Sequence, residues 1–404
     1  MHGSGHRVVV VGSSFAGLTG ALELRRRLGD DAQITVIDRR DHFTFIPSLI
    51  WVPFGHREPA DVTFPLSPVY AGQNIAFMCA DVIEFDIYGG RVHLRDGRSV
   101  PYDRLLIATG PELAFDAVPG LGPDAAGRNQ SVCNLEHAMV ARAAWSAFLE
   151  DPGPVVVGAA QGGSYFSASY EFLLNVRHQL DGAGLQEIPV TYITPEPFLG
   201  HFGLNGVGDS ANVISELFAS LGIEGIPNSA IRESRPGEIE LEGGRVLAAE
   251  YSMIIPPLRG VAPVRAHPTL SDEAGWIPVN DEYRHVHHRE IFAAGVDIAV
   301  SPPAKTLVPA GVPKTGYMSE HMAKIAAHNI AADLTGGTHR RVPFDEMGAI
   351  AVLDGGDRGL ILKTDHVIGE AEHPHLIAGP QAHWAKVAFE KYFMATRRRG
   401  FVGP

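Results

Sequence analysis

The chain has 404 residues and carries 33 Lys plus Arg against 46 Asp plus Glu, a formal charge of −13. That balance excludes a nucleic-acid binder held by phosphate contacts, which needs a net basic face. A hydrophobic share of 45% and a charged share of 20% describe a globular chain with a sizeable core, of a length suited to about two to three domains. Two cysteines, Cys79 and Cys133, exclude a disulfide scaffold and a four-thiolate metal site.

The opening MHGSGHRVVVVGSS holds one short apolar run, Val8 to Val11, broken at once by Gly and Ser, and it reads as a strand rather than a signal peptide. No stretch approaches the ~18 apolar residues of a membrane-spanning helix. The expectation is a cytoplasmic protein whose only membrane contact is peripheral, at the inner face. The 45 Gly and 29 Pro follow no period, which points to many loops rather than repeats.

Val8 to Val11 suits a strand buried on both faces, and GSSFAG (Gly12 to Gly17) then opens LTGALELRRRLG, a helical pattern ending at Gly29. The next run, ITVID, ends at Asp38 and closes a strand-helix-strand unit. In such a unit Gly12 permits the tight turn and Gly17 lets helix and strand approach. The helix N-terminus offers its free N–H groups to a pyrophosphate, and Asp38 accepts from the adenosine ribose hydroxyls. The middle glycine of the G-x-G-x-x-G pattern is Ser14, whose hydroxyl can bond the phosphate that its Cβ crowds. Cys79, in IAFMCADVIEFD, reads as a small buried residue of a strand.

Further along, YDRLLIATGPEL carries Ala108, Thr109 and Gly110 at a strand exit. GPVVVGAAQGGS opens a second candidate nucleotide unit, with Tyr165 and Phe166 crowding its turn and Glu196 following only after a Pro. The HVHH run at His285 to His288 lacks the acidic or thiolate company of a metal site, so no metal is expected. IFAAGVDIA then brings Gly295, and VPKTGYMSE brings Lys314, fixed between Pro313 and Gly316 at a helix start. In the last helix Trp384, Val387, Ala388, Phe389, Tyr392 and Phe393 fall on one stripe, with Lys386, Glu390 and Lys391 elsewhere, so an apolar inner face and a charged outer face are expected.

In combination these segments resemble flavoproteins with two dinucleotide-binding domains, in which the ATG and late AAG segments close around FAD. At greater length, DHFTFIPSLIWVPFG, QSVCNLEHA, GAAQGGSYFSASYE, ITPEPFLGHFGLNGVGDS, VPAGVPKTGYM, DGGDRG and KVAFEKYF are similar, in order and spacing, to the sulfide:quinone oxidoreductases and the flavoprotein of flavocytochrome c sulfide dehydrogenase. The fold so implied is α/β. An FAD domain (1–115 and 285–335) is interrupted by a second Rossmann-like domain (116–284), and a helical and β segment follows (336–404).

The resemblance implies FAD contacts from Gly12, Ser13, Ser14, Ala16, Gly17, Asp38, Arg39, Pro47, Val82, Ala108, Thr109, Gly110, Gly295, Val296, Asp297, Lys314, Thr315 and Gly316. An acidic residue usually follows the late glycine and holds the ribitol, but here Val296 takes that place and Asp297 comes one later. Lys314, by the flavin, would stabilise its reduced form. Of three family cysteines only Cys133 is kept, the others falling at Tyr165 and about Ala351, so sulfide oxidation by a thiol relay is expected to be lost.

Glu171 matches a family acid near the flavin and would carry protons, and His201 also matches a family position. His137, four residues after Cys133, would share a helix face with it and lower its thiol pKa. Phe389 and Phe393 would stack on a planar, quinone-like acceptor, with Tyr165 walling off the old sulfur pocket. Arg397 to Arg399 would touch anionic lipid weakly. The implied partners are a small-molecule donor and a quinone-like acceptor, and the sequence leaves a homo-oligomer open. Two alternatives to a flavoenzyme with a donor other than sulfide remain: an NAD(P)H-fed flavin reductase, or an inactive FAD-binding relative.

Overall fold

The structure, a computed structural model, describes residues 5–368 and 374–403. A strand buried on both faces needs an unbroken apolar run, and Val8–Val11 supply one at the centre of a five-stranded parallel sheet. Its order is Ile291–Ala293, Arg104–Ile107, His6–Val11, Ala32–Asp38 and Ala76–Cys79. Val9 pairs with Thr35 on one side and Leu105 on the other. The strand Ile291–Ala293 reaches this sheet from late in the chain, so the sheet joins two distant stretches of sequence.

The helix Phe15–Leu28 follows the first strand and packs on the long helix Gly316–Thr335. Three arginines in its last turn face the negative end of the helix dipole, and Gly29, at φ +55°, stops it. IAFMCADVIEFD is not one strand. It divides into Ala76–Cys79, at the sheet edge, and Val82–Asp86, which joins a small antiparallel sheet with Arg91–Leu94 and Ser99–Pro101. Cys79 is exposed rather than buried, its thiol donating to Arg39 O at 3.6 Å.

A second parallel sheet takes the order Ile223–Ile226, Val190–Ile193, Val155–Ala159, Tyr251–Ile255. The helix Phe166–Gly182 packs on it. Val264, Leu270, Ile277 and Tyr283 already pack within the core of the first sheet, so the chain returns there before Ile291.

The C-terminal segment is an antiparallel sheet, Ala349–Asp354, Gly359–Thr364 and His375–Ala378, against which the helix Gln381–Arg398 lies. This helix corrects the expectation from its pattern. Its inner face is Ala382, Lys386, Glu390, Phe393, Met394 and Arg397, whereas Trp384 is 70% exposed and Tyr392 55%. The charges are tolerated inside because each has a partner. Lys386 pairs with Glu171, Glu390 accepts from Ser48 Oγ and Arg57 Nε (2.5 and 2.9 Å), and Arg397 pairs with Glu320. Arg397 is therefore not available to a lipid surface. Among the described residues no helix is long and apolar enough to cross a membrane.

Candidate flavin site

The turn after the first strand is built by backbone contact. Gly12 lies at φ +97°, and a Cβ there would sit 2.0 Å from Ala108 O. A Cβ on Gly17 would sit 1.9 Å from Gly12 O. Asp38 Oδ2 accepts from Ser13 N–H at 2.6 Å and its Oδ1 from Arg40 N–H at 2.9 Å, while Ser13 Oγ shares a hydrogen bond with Tyr70. Ser14 is the N-cap of the helix, and its side chain makes no capping bond. Gly12, Asp38, Arg39, Val82 and Thr109 line one cavity of about 530 Å³, a size within the range of ligand sites.

The three other glycine-bearing segments meet beside this turn. A Cβ on Gly295, at φ +94°, would come 3.1 Å from Ala16 Cβ. Thr109 Oγ1–H donates to Asp297 Oδ1 at 2.9 Å, joining the ATG and AAG segments. Asp297 is 2% exposed, and its Oδ2 has no hydrogen-bond partner. Burial pushes this carboxyl up to about 7 against the opposing Thr109 bond, backbone N–H groups and Lys314 charge. Val296, in the usual place of the acid, is only partly buried.

Lys314 Nζ donates to Ile298 O at 2.7 Å and sits over the Trp276 ring at 4.4 Å. Burial lowers it to about 8, with Asp297 and Asp272 holding it up. Thr315 caps the helix that begins at Gly316, where a Cβ would press on Phe15 at 2.9 Å. Pro47 lies in the one-turn helix Ile46–Trp51.

These features fit FAD. The glycine turn would present a free helix N-terminus to a pyrophosphate, the cavity beside Asp38 has room for the adenosine end, and a ribitol hydroxyl would satisfy the orphaned Asp297 oxygen.

Cys133, Tyr165 and Ala351 all pack against one hydrophobic cluster. Burial pushes the Cys133 thiol up to about 11 despite the Ser131 hydroxyl. His137 does not act on it as expected, because Cys133 lies outside the helix. Asn134 is the N-cap, its side chain accepting from His137 N–H at 2.7 Å, and the helix starts at Leu135. The His137 ring faces Phe115, with Nδ1 buried and unpaired, and burial lowers its pKa. His201 is buried in its loop, where Nδ1 accepts from Gly203 N–H at 3.1 Å.

Glu171 is buried and ion-paired with Lys386, and burial pushes its carboxyl up to about 7 against the lysine's pull. The Lys386 ammonium lies over the Trp51 ring at 4.6 Å. Trp51 Nε1–H donates to Asp354 Oδ2 at 2.8 Å, and His383 Nδ1 lies 3.1 Å from the same oxygen. Lys386, Trp51, Asp354 and His383 were missed by sequence reasoning. The one available signal was the i, i+4 spacing of Lys386 and Glu390 with Arg397 a further two turns on. Phe393 is buried among Phe15, Phe43 and Phe45, with ring centres 5.0, 5.4 and 5.2 Å away, whereas Phe389 is 40% exposed and touches Phe45 and Phe393.

The second glycine turn is covered. Gly162 N–H donates to Pro309 O at 2.6 Å, and Gly311 N–H to Gly163 O at 2.8 Å. Glu196, at 0% exposure, accepts from the Tyr170 and Thr194 hydroxyls and Phe202 N–H. In the HVHH run the buried His285 accepts from the backbone N–H groups of His287 and His288. Among the described residues no group of side chains is arranged to hold a metal.

Two parallel nucleotide-type sheets around such turns define a flavoprotein with two dinucleotide-binding domains. The pyridine nucleotide-disulphide oxidoreductase family matches residues 6–324. A sulfide-quinone reductase of Aquifex aeolicus is 35% identical, covering 98% of this chain and 92% of its own. The X-ray structure of the sulfide:quinone oxidoreductase from that bacterium superposes with a TM-score of 0.94, at 34% identity over 99% of this chain and 93% of that one. An NADH dehydrogenase-like protein of Mycobacterium tuberculosis is 29% identical over 73% of each chain. The chain belongs to the sulfide:quinone oxidoreductase family of pyridine nucleotide-disulphide oxidoreductases. It is an FAD-dependent oxidoreductase.

Proposed function

We propose that this enzyme passes two electrons from a donor other than free sulfide to a quinone-like acceptor, and that the thiol relay of sulfide oxidation is lost. The carrying observation is the lone thiol. Cys133, partly buried, packs against the second core, as Tyr165 and Ala351 do, while Cys79 stands exposed on the edge strand of the first sheet. Sulfide oxidation by a relay needs a thiolate to attack and a second sulfur to take the product. A thiol held at about 11 is almost wholly protonated near neutral pH, and neither a phenol nor a methyl group replaces its partner.

FAD supplies the two-electron carrier between donor and acceptor. Gly12, Ser14 and the helix N-terminus hold its pyrophosphate, Asp38 its ribose and Asp297 its ribitol. Lys314 keeps a positive charge beside Asp297. Glu171, partnered by Lys386, holds and passes protons on the acceptor side, where Phe389 offers the accessible ring. Phe393 is committed to the core and supports Phe389 rather than stacking on the acceptor. Membrane contact in this reading is weak, made by Trp384, Phe389 and Tyr392 with Lys391 and Arg399, and a flotation assay measures it.

The name of the Mycobacterium relative invites an NAD(P)H-fed reading, but the geometry weighs against it. Pro309 and Gly311 occupy the backbone groups of the second turn, and Glu196 is fully buried and bonded within its own loop, out of reach of a ribose. The deciding experiment is anaerobic bleaching of the flavin absorbance by sulfide, thiols, NADH and NADPH in turn. Slow bleaching by sulfide and both nicotinamides is expected. Sulfide-dependent quinone reduction at an enzymatic rate overturns the proposal, and a flavin that no donor reduces points to an inactive relative. Denaturing the protein reports whether the yellow colour stays with Cys133.

A further inference from the structure

A quinone that accepts two electrons also takes up two protons; one can arrive with the electron pair, and the other must reach a buried site from water. One polar network runs from the interior to the surface on this side of the molecule. Its inner end is Glu171 and Lys386, at 5% and 3% exposure. Its outer end is His383, whose side chain is 35% exposed. Asp354, 1% exposed, lies between them, held by Trp51 Nε1–H at 2.8 Å and Gly356 N–H at 3.1 Å and facing His383 Nδ1 at 3.1 Å. The Asn175 side chain ties the inner end to the middle by donating to the backbone carbonyls of Glu171 at 2.9 Å and Asp354 at 2.6 Å. A fully buried carboxylate shared by an indole N–H and a half-open histidine is a costly arrangement for structure alone.

Resting on the acceptor reading above, we propose that His383 and Asp354 form the water-facing end of a proton path whose buried end is the Glu171–Lys386 pair. An N–H bond of Lys386 breaks as an O–H bond forms on the reduced acceptor, and the acceptor's other proton arrives with the electron pair. The flexible Lys386 stem then carries the neutral amine along the Trp51 face toward Asp354. Asp354 passes on the proton it takes from His383, and His383 is recharged by water. No electrons travel along the path. The other charges facing it are Arg57, 4.4 Å above the Trp51 ring, and His56 and His178, the latter 3.4 Å from Asp357. His56 is held low by burial and by the charges of His178 and Arg57, and the half-exposed ring that touches Asp354 is His383.

The test uses the flavin-loaded protein and follows the Glu171 carboxyl band in the infrared, assigned by its loss in Glu171→Gln, after a pH jump from about 6 to about 8. His383→Ala, a mild change at a half-open site, is expected to slow the response by about tenfold, and free imidazole to restore it. Asp354→Asn is expected to slow it as much, without rescue. An unchanged rate in His383→Ala overturns the path. A second arm mixes photoreduced protein with menadione or with ferricyanide, which takes electrons alone. Slowing with menadione only supports delivery to the acceptor. Equal slowing with both overturns delivery, because it reports damage to electron transfer. Wild-type protein inert to menadione but oxidised by ferricyanide sinks the quinone reading and, with it, delivery to that acceptor, and the pH-jump result still decides the path itself.

Discussion

Replacing Asp297 with Asn is expected to move the stability of the flavin-free protein and its affinity for FAD in opposite directions. Burial is the main reason the carboxyl stands at about 7 rather than the ordinary 3.8. Well below pH about 4 the group is protonated in both folded and unfolded chains and costs nothing. As pH rises from about 4 to about 7 the unfolded carboxyl ionises while the buried one stays protonated, so stability is lost across that window and levels off above about 7, where the folded group ionises too. At about 1.4 kcal/mol per pH unit, the displacement from 3.8 to about 7 amounts to about 4 kcal/mol by pH about 8. Asn keeps an acceptor for the Thr109 hydroxyl, now 2.9 Å away, and removes the charge. Its unpartnered N–H₂ returns about 1–2 kcal/mol of that gain, leaving Asp297→Asn more stable by about 2–3 kcal/mol at pH about 8 and no more stable at pH about 4. In FAD binding the same substitution loses a hydrogen bond from a hydroxyl to a charged acceptor, worth about 1.5–3 kcal/mol, or about ten- to hundredfold in Kd. Urea unfolding of flavin-free protein at the two pH values and titration by quenching of FAD fluorescence read both quantities. Equal FAD affinity in the two proteins refutes the assignment of the orphaned oxygen to the ribitol, and a stability gain that is the same at both pH values refutes the buried ionisation.

Gly12→Ala is expected to abolish flavin loading, since its Cβ would stand 2.0 Å from Ala108 O at a φ of +97°; the ratio of flavin to protein absorbance checks it. Phe393→Ala should cost about 3–5 kcal/mol, and Phe389→Ala, at a partly exposed position, less than about 1 kcal/mol, in denaturant midpoints. Maleimide should add once to the native protein, at Cys79. That thiol too is pushed up, by burial and nearby carboxylates, but it is exposed, whereas Cys133 is partly buried against the second core and held at about 11. Intact mass spectrometry showing two adducts on folded protein contradicts the placement of Cys133.

The first strand, its turn and Asp38 were legible in the sequence because all of their determinants are local. Val8 to Val11 declare two-sided burial, Gly12 and Gly17 mark where backbones touch, and Asp38 closes the unit within one strand-helix-strand span. Asp297 was named beside the ribitol position, but its bond to Thr109 was not legible, since only the completed sheet brings the ATG segment to it. His137 misled for a related reason. The spacing from Cys133 implies a shared helix face only if both residues are helical, and the Asn134 cap starts the helix between them.

The C-terminal helix shows why hydrophobic periodicity misassigned a face. Such a pattern ranks each residue by its own preference for water and has no knowledge of a partner elsewhere in the chain. Here the partners come from three separate elements and a loop: Glu171 for Lys386, Ser48 and the loop residue Arg57 for Glu390, and Glu320 for Arg397. Buried ion pairs of this kind roughly break even, or lose, against hydrophobic residues of the same volume. Stability therefore does not account for a helix that turns Trp384 and Tyr392 to solvent and Lys386 and Glu390 to the core. The Glu390 and Arg397 pairs hold the helix in register against the Ile46–Trp51 turn and the long helix Gly316–Thr335. The Glu171–Lys386 pair, by contrast, sits against an indole that is itself bound to Asp354 and, through it, to a half-open histidine. A pair needed only for register has no use for that connection to water, whereas a pair that must regain a proton after each turnover cannot work without one.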